Sequence, residues 1–179
     1  MTSSTPTLAT EIEAATGINP ATCYQCGKCS AGCPMASESD LRPHQVMRRA
    51  MYGSRERALQ DESIWLCLTC ETCSARCPNG CDPARVIDAL RELAIESGMA
   101  QMPRSIGAFH KAFLEQIRSN GRLHEMGLVM DYKIKTGDLM KDVTNAPGMF
   151  TRGKLNLRAD KIDGVNENKR IFEQCGVTP

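Results

Sequence analysis

Two runs of cysteines carry the chemistry that this 179-residue sequence can be expected to perform. The first is Cys23-Tyr-Gln-Cys-Gly-Lys-Cys-Ser-Ala-Gly-Cys-Pro34, and the second is Cys67-Leu-Thr-Cys-Glu-Thr-Cys-Ser-Ala-Arg-Cys-Pro78. Both follow the pattern Cys-x2-Cys-x2-Cys-x3-Cys-Pro. A [4Fe–4S] cube needs one thiolate on each of its four irons, and three cysteines two residues apart form a tight loop around one side of it. Two such runs therefore predict two [4Fe–4S] clusters.

The fourth cysteine of each run is predicted to serve the other run's cluster. It follows the third too closely to complete the same cube without strain, and the proline after it turns the chain away. The first cluster is then ligated by Cys23, Cys26, Cys29 and Cys77, and the second by Cys67, Cys70, Cys73 and Cys33. This crossed pairing makes the clusters neighbours, and it makes folding depend on the metal.

Other uses of the cysteines fit the pattern less well. Zinc knuckles take one Cys-x2-Cys pair from each arm, whereas each arm here has four cysteines. A disulfide framework needs a secretory context, which the sequence does not indicate. Cys81 and Cys175 remain outside the two runs. Each is predicted to be a small apolar residue or a spare thiol, and a substitute-ligand role for Cys81 is the less favoured alternative.

Composition narrows the class of protein further. The net charge of +1 gives no reason to expect nucleic acid as a partner. The first residues lack a basic and apolar leader, and no apolar run reaches the roughly 18 residues that span a bilayer. A cytoplasmic protein without direct membrane insertion is predicted. No catalytic constellation and no Gly-rich nucleotide fingerprint stands out, so no catalytic residue and no organic cofactor is predicted.

Each cysteine run is predicted to lead into a helix. After the first run, Asp40 can cap, Pro43 fits the first turn and Gly53 can end the element. After the second, Asp82-Pro83 is an N-cap followed by a proline at the first helical position, and Gly98 is a stop signal. A further helix is predicted over 103–118, with an apolar face of Ile106, Phe109, Phe113, Leu114 and Ile117. Trp65 is predicted to pack beside a cluster and shield it from water.

The predicted fold is mainly α: an alpha-helical ferredoxin-like core with two cluster-binding loops and an extended C-terminal tail, part helical and part irregular. Three regions are expected, namely an N-terminal extension (1–20), a two-cluster ferredoxin domain (21–100) and a partner-docking region (101–179). The last keeps scattered large apolar residues among Gly, Asn and Pro, which disordered tails lack. These are Met126, Met130, Leu139, Met140, Met149 and Phe150.

These features together resemble the small iron–sulfur subunit, or C subunit, of heterodisulfide reductase. The resemblance covers nearly the whole chain, through the lead-in Thr16-Gly-Ile-Asn-Pro20, both cysteine runs and the Asp82-Pro83 helix. The C-terminal part adds Arg152-Gly-Lys-Leu-Asn-Leu157, Ile162-Asp-Gly164 and Ile171-Phe172. The cysteine motifs alone occur in many helical ferredoxins, and the C-terminal part narrows the resemblance to this family. Cys81 stands where the family is expected to have an aliphatic residue.

The resemblance implies a non-catalytic electron-transfer subunit of a soluble multi-subunit oxidoreductase. Its two [4Fe–4S] clusters would relay electrons between two larger proteins of a heterodisulfide reductase-like complex, an A-like flavin and iron–sulfur protein and a B-like catalytic protein. One alternative is an iron–sulfur subunit of another low-potential complex, of the sulfur-metabolism or aromatic acyl-CoA reductase type. A less favoured alternative is an iron–sulfur sensor or regulator.

Overall fold

Every regular element in the described part of the chain is a helix, as the sequence predicts. The computed structural model describes residues 7–138, 148 and 158–176. The chain divides into two compact units, Met1–Met102 and Pro103–Pro179. None of the helices in the described ranges combines the length and apolar character that crossing a bilayer requires.

The first unit contains both cysteine runs. Its α-helices are α1 (Leu8–Thr16), α2 (Lys28–Ala31), α3 (Pro43–Tyr52), α4 (Arg55–Leu59), α5 (Thr72–Ala75) and α6 (Pro83–Glu96), and short 3-10 turns lie at Pro20–Thr22 and Glu62–Ile64. Helix α6 packs against α1, α3 and α4. The core between them is apolar, with Ile12, Met47, Leu59, Ile64, Val86 and Leu90 fully buried.

The unit has an internal repeat that follows the two runs. Each run contains a one-turn helix, α2 or α5, and continues through a loop into a longer helix, α3 or α6. The apolar stripe of α6 faces the core, since Val86, Ile87, Leu90 and Ala94 are buried. The predicted ends of α6 are confirmed. Asp82 accepts a hydrogen bond from the N–H of Arg85, and Gly98 has a left-handed φ of 67°.

The predicted N-cap of α3 is wrong. Asp40 lies outside the helix, and Arg42 is the residue before its first turn. The N–H of His44 is instead satisfied by the hydroxyl of Ser30, at 3.1 Å, from the first cysteine run. Because a distant side chain satisfies this N–H, local sequence could not reveal the cap. The predicted end at Gly53 is confirmed.

The second unit contains α7 (Arg104–Asn120), α8 (Glu125–Thr136) and α9 (Val165–Gln174). Helix α7 matches the prediction for 103–118, and Ile106, Leu114 and Ile117 of the predicted face are half-buried, but its two phenylalanines are not buried. Ala108 and Ala112 are buried, whereas Phe109 and Phe113 remain 44% and 36% exposed. Helices α8 and α9 have no buried residue in the described ranges, and Tyr132 of α8 lies edge-to-face against Phe109, with the ring centroids 6.0 Å apart.

Several sequence features lie outside the described residues. They are the apolar residues Leu139, Met140, Met149 and Phe150 and the segment Arg152-Gly-Lys-Leu-Asn-Leu157.

Candidate iron–sulfur site

A cavity in the first unit brings cysteines of both runs together. Cys67, Cys70 and Cys73 of the second run line it, and so does Cys33 of the first. It encloses about 530 Å³ of space free of atoms, part of which is open to solvent. The rest of its wall is mostly apolar, including Leu41, Val46, Leu66, Leu68 and Ile87. The four cysteines are those that the crossed pairing assigns to the second cluster.

The cysteines of this cavity differ in exposure along the run. Cys70 is exposed, Cys33 and Cys67 are half-buried, and Cys73 is buried. Burial raises the pKa of the Cys73 thiol to about 11. It also raises the pKa of Cys67, to which a negative charge on Cys33 adds a smaller contribution. Metal coordination removes the thiol proton despite the raised pKa, because a coordinating thiol is deprotonated outright.

Hydrogen-bond donors face the sulfurs of the second run. The N–H of Thr69 donates to Sγ of Cys67 at 3.4 Å. The hydroxyl and N–H of Thr72 lower the pKa of Cys70. Thiolates that ligate a cluster carry negative charge, and donors directed at them stabilise that charge.

Arg91 of α6 holds the segment in front of this run. Its guanidinium donates to the carbonyl of Ile64 at 2.7 Å and to that of Cys67 at 2.6 Å. It also lies over the ring of Trp65, 5.9 Å from the centroid. Trp65 is buried as predicted, but it is not among the residues that line the cavity, and its indole N–H has no acceptor among the described residues.

The end of the second run is tied to the start of the first. The side-chain amide of Asn79 donates to the carbonyl of Thr22 at 2.7 Å, and the hydroxyl of Thr22 lies 3.4 Å from Sγ of Cys81. These contacts bring Cys77 to the first run, where negative charge on Cys26 and on Cys77 acts on the hydroxyl of Tyr24. The pKa of that hydroxyl is raised mainly by desolvation and to a smaller extent by these two charges.

Backbone N–H groups surround the sulfur of Cys77. Burial alone would raise its pKa, but hydrogen bonds from the N–H groups of Cys81, Asn79 and Gly80 and from the Cys81 thiol outweigh burial and lower it. The bond from Cys81 measures 3.3 Å. This turn therefore favours a thiolate at Cys77. In the same region, the side-chain amide of Gln25 donates to Sγ of Cys23 at 3.4 Å.

The two ligand sets meet in the core of the unit. The third cysteines of the runs, Cys29 and Cys73, are buried in one cluster with Ala84. Burial raises the pKa of Cys29, and a negative charge on Cys23 adds to it. At the other extreme, Cys26 and Cys70 are exposed. Each set thus extends from the shared core to the surface.

The donor set fits iron–sulfur clusters. In the ranges that the structure describes, no three His, Cys, Asp or Glu side chains converge closely enough to hold one ion. A cubane spreads its four thiolates over four separate irons, so its ligands need not converge on one point. The cavity offers the four thiols, apolar walls and N–H donors that such a group requires.

The sequence interpretation missed several side chains around the site. Arg91, Ser30 and His44 were not singled out as neighbours of the clusters. The sequence does contain a signal for Ser30, since the third cysteine of each run is followed by Ser-Ala. For Arg91 the linear sequence offers none, because its acceptors lie 24 and 27 residues away. Cys81 is buried beside Cys77 with its sulfur 3.4 Å from the Thr22 hydroxyl, and its role as a small residue or spare thiol stays a prediction.

Comparisons with known proteins agree with this chemistry. The profile of a 4Fe-4S dicluster domain family matches residues 22–82. Over 160 residues the chain is 36% identical to the C subunit of the ferredoxin:CoB-CoM heterodisulfide reductase of Methanosarcina mazei, covering 87% of this chain and 94% of that protein.

Shorter alignments link the chain to further relatives. It is 33% identical over 100 residues to the C subunit of the H(2):CoB-CoM heterodisulfide,ferredoxin reductase of Methanothermobacter marburgensis, covering 55% of this chain and 54% of that protein. It is 35% identical over 88 residues to the iron-sulfur C subunit of the CoB--CoM heterodisulfide reductase of Methanopyrus kandleri, covering 49% and 46%. The chain thus spans about half the length of these two relatives. With the nearly full-length match, it belongs to the family of heterodisulfide reductase C subunits, which are iron–sulfur proteins.

Proposed function

We propose that the chain is the electron-transfer subunit of a multi-subunit, heterodisulfide reductase-like oxidoreductase. Cys23, Cys26, Cys29 and Cys77 would hold one [4Fe–4S] cluster, and Cys67, Cys70, Cys73 and Cys33 the other. When bound, such clusters supply reversible one-electron chemistry. The observation that carries the proposal is the cavity that Cys33 shares with Cys67, Cys70 and Cys73.

The burial pattern supports a relay with two steps. Cys29 and Cys73 are buried in the same core cluster, so the two iron–sulfur clusters would be neighbours. Cys26 and Cys70 are exposed, so each iron–sulfur cluster would also lie near the surface. Large apolar residues stand beside both exposed cysteines, Tyr24 and Leu68, each 61% exposed. Electrons could then arrive at one surface and leave at the other.

Family membership supports the choice of partners. Relatives are named as C subunits of CoB-CoM heterodisulfide reductases, and that designation implies companion subunits. The proposed partners are an A-like flavin and iron–sulfur protein and a B-like catalytic protein of the same kind of complex. Residues 21–100 would form the two-cluster domain, and 101–179 would dock a partner. The exposed Phe109 and Phe113 on α7 support a docking role.

The test of the ligand assignment is the variant Cys33→Ser, with Cys33→Ala to exclude ligation by the serine oxygen. The wild-type chain, purified without oxygen, is expected to hold about eight irons and eight acid-labile sulfides. Either variant is expected to hold about four irons. The cluster of Cys23, Cys26, Cys29 and Cys77, which we call the first-run cluster, is expected to remain in the EPR spectrum. The matched control is Cys175→Ser, since Cys175 is exposed and outside both runs. Loss of the first-run cluster alone would contradict the crossed pairing.

The test of the role is the composition of the native complex. A tagged chain is expected to co-purify with a flavin-containing protein and a second, cysteine-rich protein. If the chain purifies alone and its cluster content controls binding to another macromolecule, the relay is wrong and a sensor is the better description. If the companions belong to a complex of sulfur metabolism or aromatic acyl-CoA reduction, the relay stands with a different terminal enzyme.

A further inference from the structure

The internal repeat places one serine at the same position in both cluster loops. Ser30 follows the buried Cys29, and Ser74 follows the buried Cys73. Each hydroxyl accepts a hydrogen bond from the second residue of the long helix of its half. The N–H of His44 donates to Ser30 at 3.1 Å, and the N–H of Ala84 donates to Ser74 at 3.2 Å. Each serine thus connects its cluster loop to the start of a helix.

The second partner of each hydroxyl breaks the repeat. The Ser74 hydroxyl donates to the carboxylate of Asp82, whereas Oγ of Ser30 lies 2.6 Å from Nδ1 of His44. A hydroxyl has one proton, and an ionised carboxylate can only accept. The proton of Ser74 is therefore directed at Asp82. A proton on Nδ1 of His44 leaves that of Ser30 free to be directed elsewhere.

The other acceptor near the Ser30 hydroxyl is the sulfur of Cys29. Oγ of Ser30 lies 4.0 Å from Sγ of Cys29, within the range of a hydrogen bond to sulfur. A ligating cysteine is a thiolate, and bonds to a charged acceptor are about twice as strong as neutral ones. With a thiolate at Cys29, the favoured arrangement would run from Nδ1–H of His44 to Oγ of Ser30 and from O–H of Ser30 to Cys29. In a buried site the two bonds strengthen each other.

Ser74 also lies beside its cysteine, and its hydroxyl would lower the pKa of Cys73 if its proton turned that way. The Asp82 carboxylate competes for that single proton. No carboxylate competes at Ser30, whose two hydrogen-bond partners on α3 are the N–H and Nδ1 of the same histidine.

We propose that Ser30 and His44 are positioning residues that direct a hydroxyl hydrogen bond at the Cys29 thiolate and raise the reduction potential of the first-run cluster. Asp82 keeps the equivalent hydroxyl of Ser74 from Cys73. This inference rests on the proposed function, because it assumes that Cys29 ligates a cluster. Hydrogen bonds to cluster sulfurs are among the factors that set its potential, since they stabilise the added electron.

The decisive experiment is a redox titration of the full chain with both clusters bound, followed by EPR at each potential. The signals are assigned by comparison with the Cys33→Ser chain. Ser30→Ala is expected to lower the equilibrium constant for reduction of the first-run cluster about threefold to tenfold. A tenfold change equals a shift in potential of about 59 mV for one electron. The matched control is Ser74→Ala. It is expected to change much less the potential of the second-run cluster, which is the one proposed to be held by Cys67, Cys70, Cys73 and Cys33. Ser30→Thr retains a hydroxyl and is expected to retain the potential.

The variant His44→Leu tests the direction of the hydrogen bonds. If Nδ1–H donates to Ser30, removing the imidazole lowers the potential of the first-run cluster, and His44→Asn restores it through its amide N–H. If Nδ1 accepted the Ser30 proton, His44→Leu would release that proton to Cys29 and raise the potential. A raised potential overturns the proposal.

Two further results would also decide against the proposal. Unchanged potentials in a Ser30→Ala chain that still holds about eight irons refute it and leave the proposed function intact. Fewer irons in the wild-type chain refute the proposed function itself, and the inference fails with it. If Ser30→Ala loses its cluster, His44→Leu carries the test, with His44→Asn as its control.

Discussion

Replacement of Arg91 by methionine is predicted to release iron selectively from the second-run cluster. Methionine keeps much of the side chain's apolar length but removes the guanidinium. The side chain of Arg91 is only 18% exposed, so water would replace its hydrogen bonds poorly. The carbonyls of Ile64 and Cys67 would each lose a charged donor.

The size of the effect follows from these two bonds. A hydrogen bond to a charged group contributes about 1.5 to 3 kcal/mol, and partial access of water reduces that to about 1 to 2 kcal/mol here. The contact with Trp65 adds about 0.5 kcal/mol, and the Asp88 pair adds little because it is an i,i+3 pair near the surface. A loss of about 2.5 to 4.5 kcal/mol in holding the loop makes its opening about 70-fold to 2,000-fold more frequent.

The assay is the rate at which an iron chelator removes metal from the anaerobic full chain, with EPR to identify the cluster lost. Arg91→Met is expected to accelerate loss from the second-run cluster within that range. Arg85→Met is the matched control, because Arg85 is an exposed arginine on the same helix. Iron release at the wild-type rate, or equal acceleration for both clusters, would show that Arg91 does not hold the loop.

Three further predictions concern other parts of the chain. Cys81→Ala is expected to leave about eight irons per chain, because Cys81 acts as a buried small residue; a drop to about four would make it a ligand. Asn168→Ala removes two hydrogen bonds to the last-turn carbonyls of α7, at 2.7 and 3.2 Å. It is expected to speed amide hydrogen exchange in α9 about 5-fold to 30-fold. Replacement of the exposed Asn166 by alanine is the control and should not change the exchange rate. The pKa of Glu115 is lowered, chiefly by its hydrogen bond with Arg118. The small contribution of Glu115 to stability is therefore fully present above the usual carboxyl pKa and is lost as pH falls through the lowered pKa. Glu115→Gln should make the free energy of unfolding depend less on pH on the acid side. An unchanged pH profile would show that the pair with Arg118 does not contribute to stability.

The helical framework could be predicted where its signals are local. Asp82-Pro83 marks the start of α6 and Gly98 marks its end, because an N-cap, a proline and a left-handed glycine act on their immediate neighbours. The N-cap of α3 could not be predicted from Asp40. The N–H of His44 in the first turn of α3 donates to the hydroxyl of Ser30, 14 residues away. Such a contact exists only after the chain has folded.

The apolar pattern also has a limit in the second unit. Phe109 and Phe113 recur at helical spacing and predict a buried face, yet the buried positions of α7 are Ala108, Ala112 and Asn120. Periodicity identifies which residues share a face, but the neighbouring helices decide which face is covered.

The sequence alone determined the chemistry of the candidate site, because the number, type and spacing of the thiols are local properties of two short runs. It predicted the fold class, now confirmed, and the crossed pairing, which stays a prediction. Only the tertiary structure decided that Cys33 lines a cavity with the second run, that Arg91 holds the loop of Cys67, and that Ser30 and Ser74 have different partners. Each of these contacts joins residues far apart in the chain, and helix packing, not spacing along the sequence, sets which of them meet.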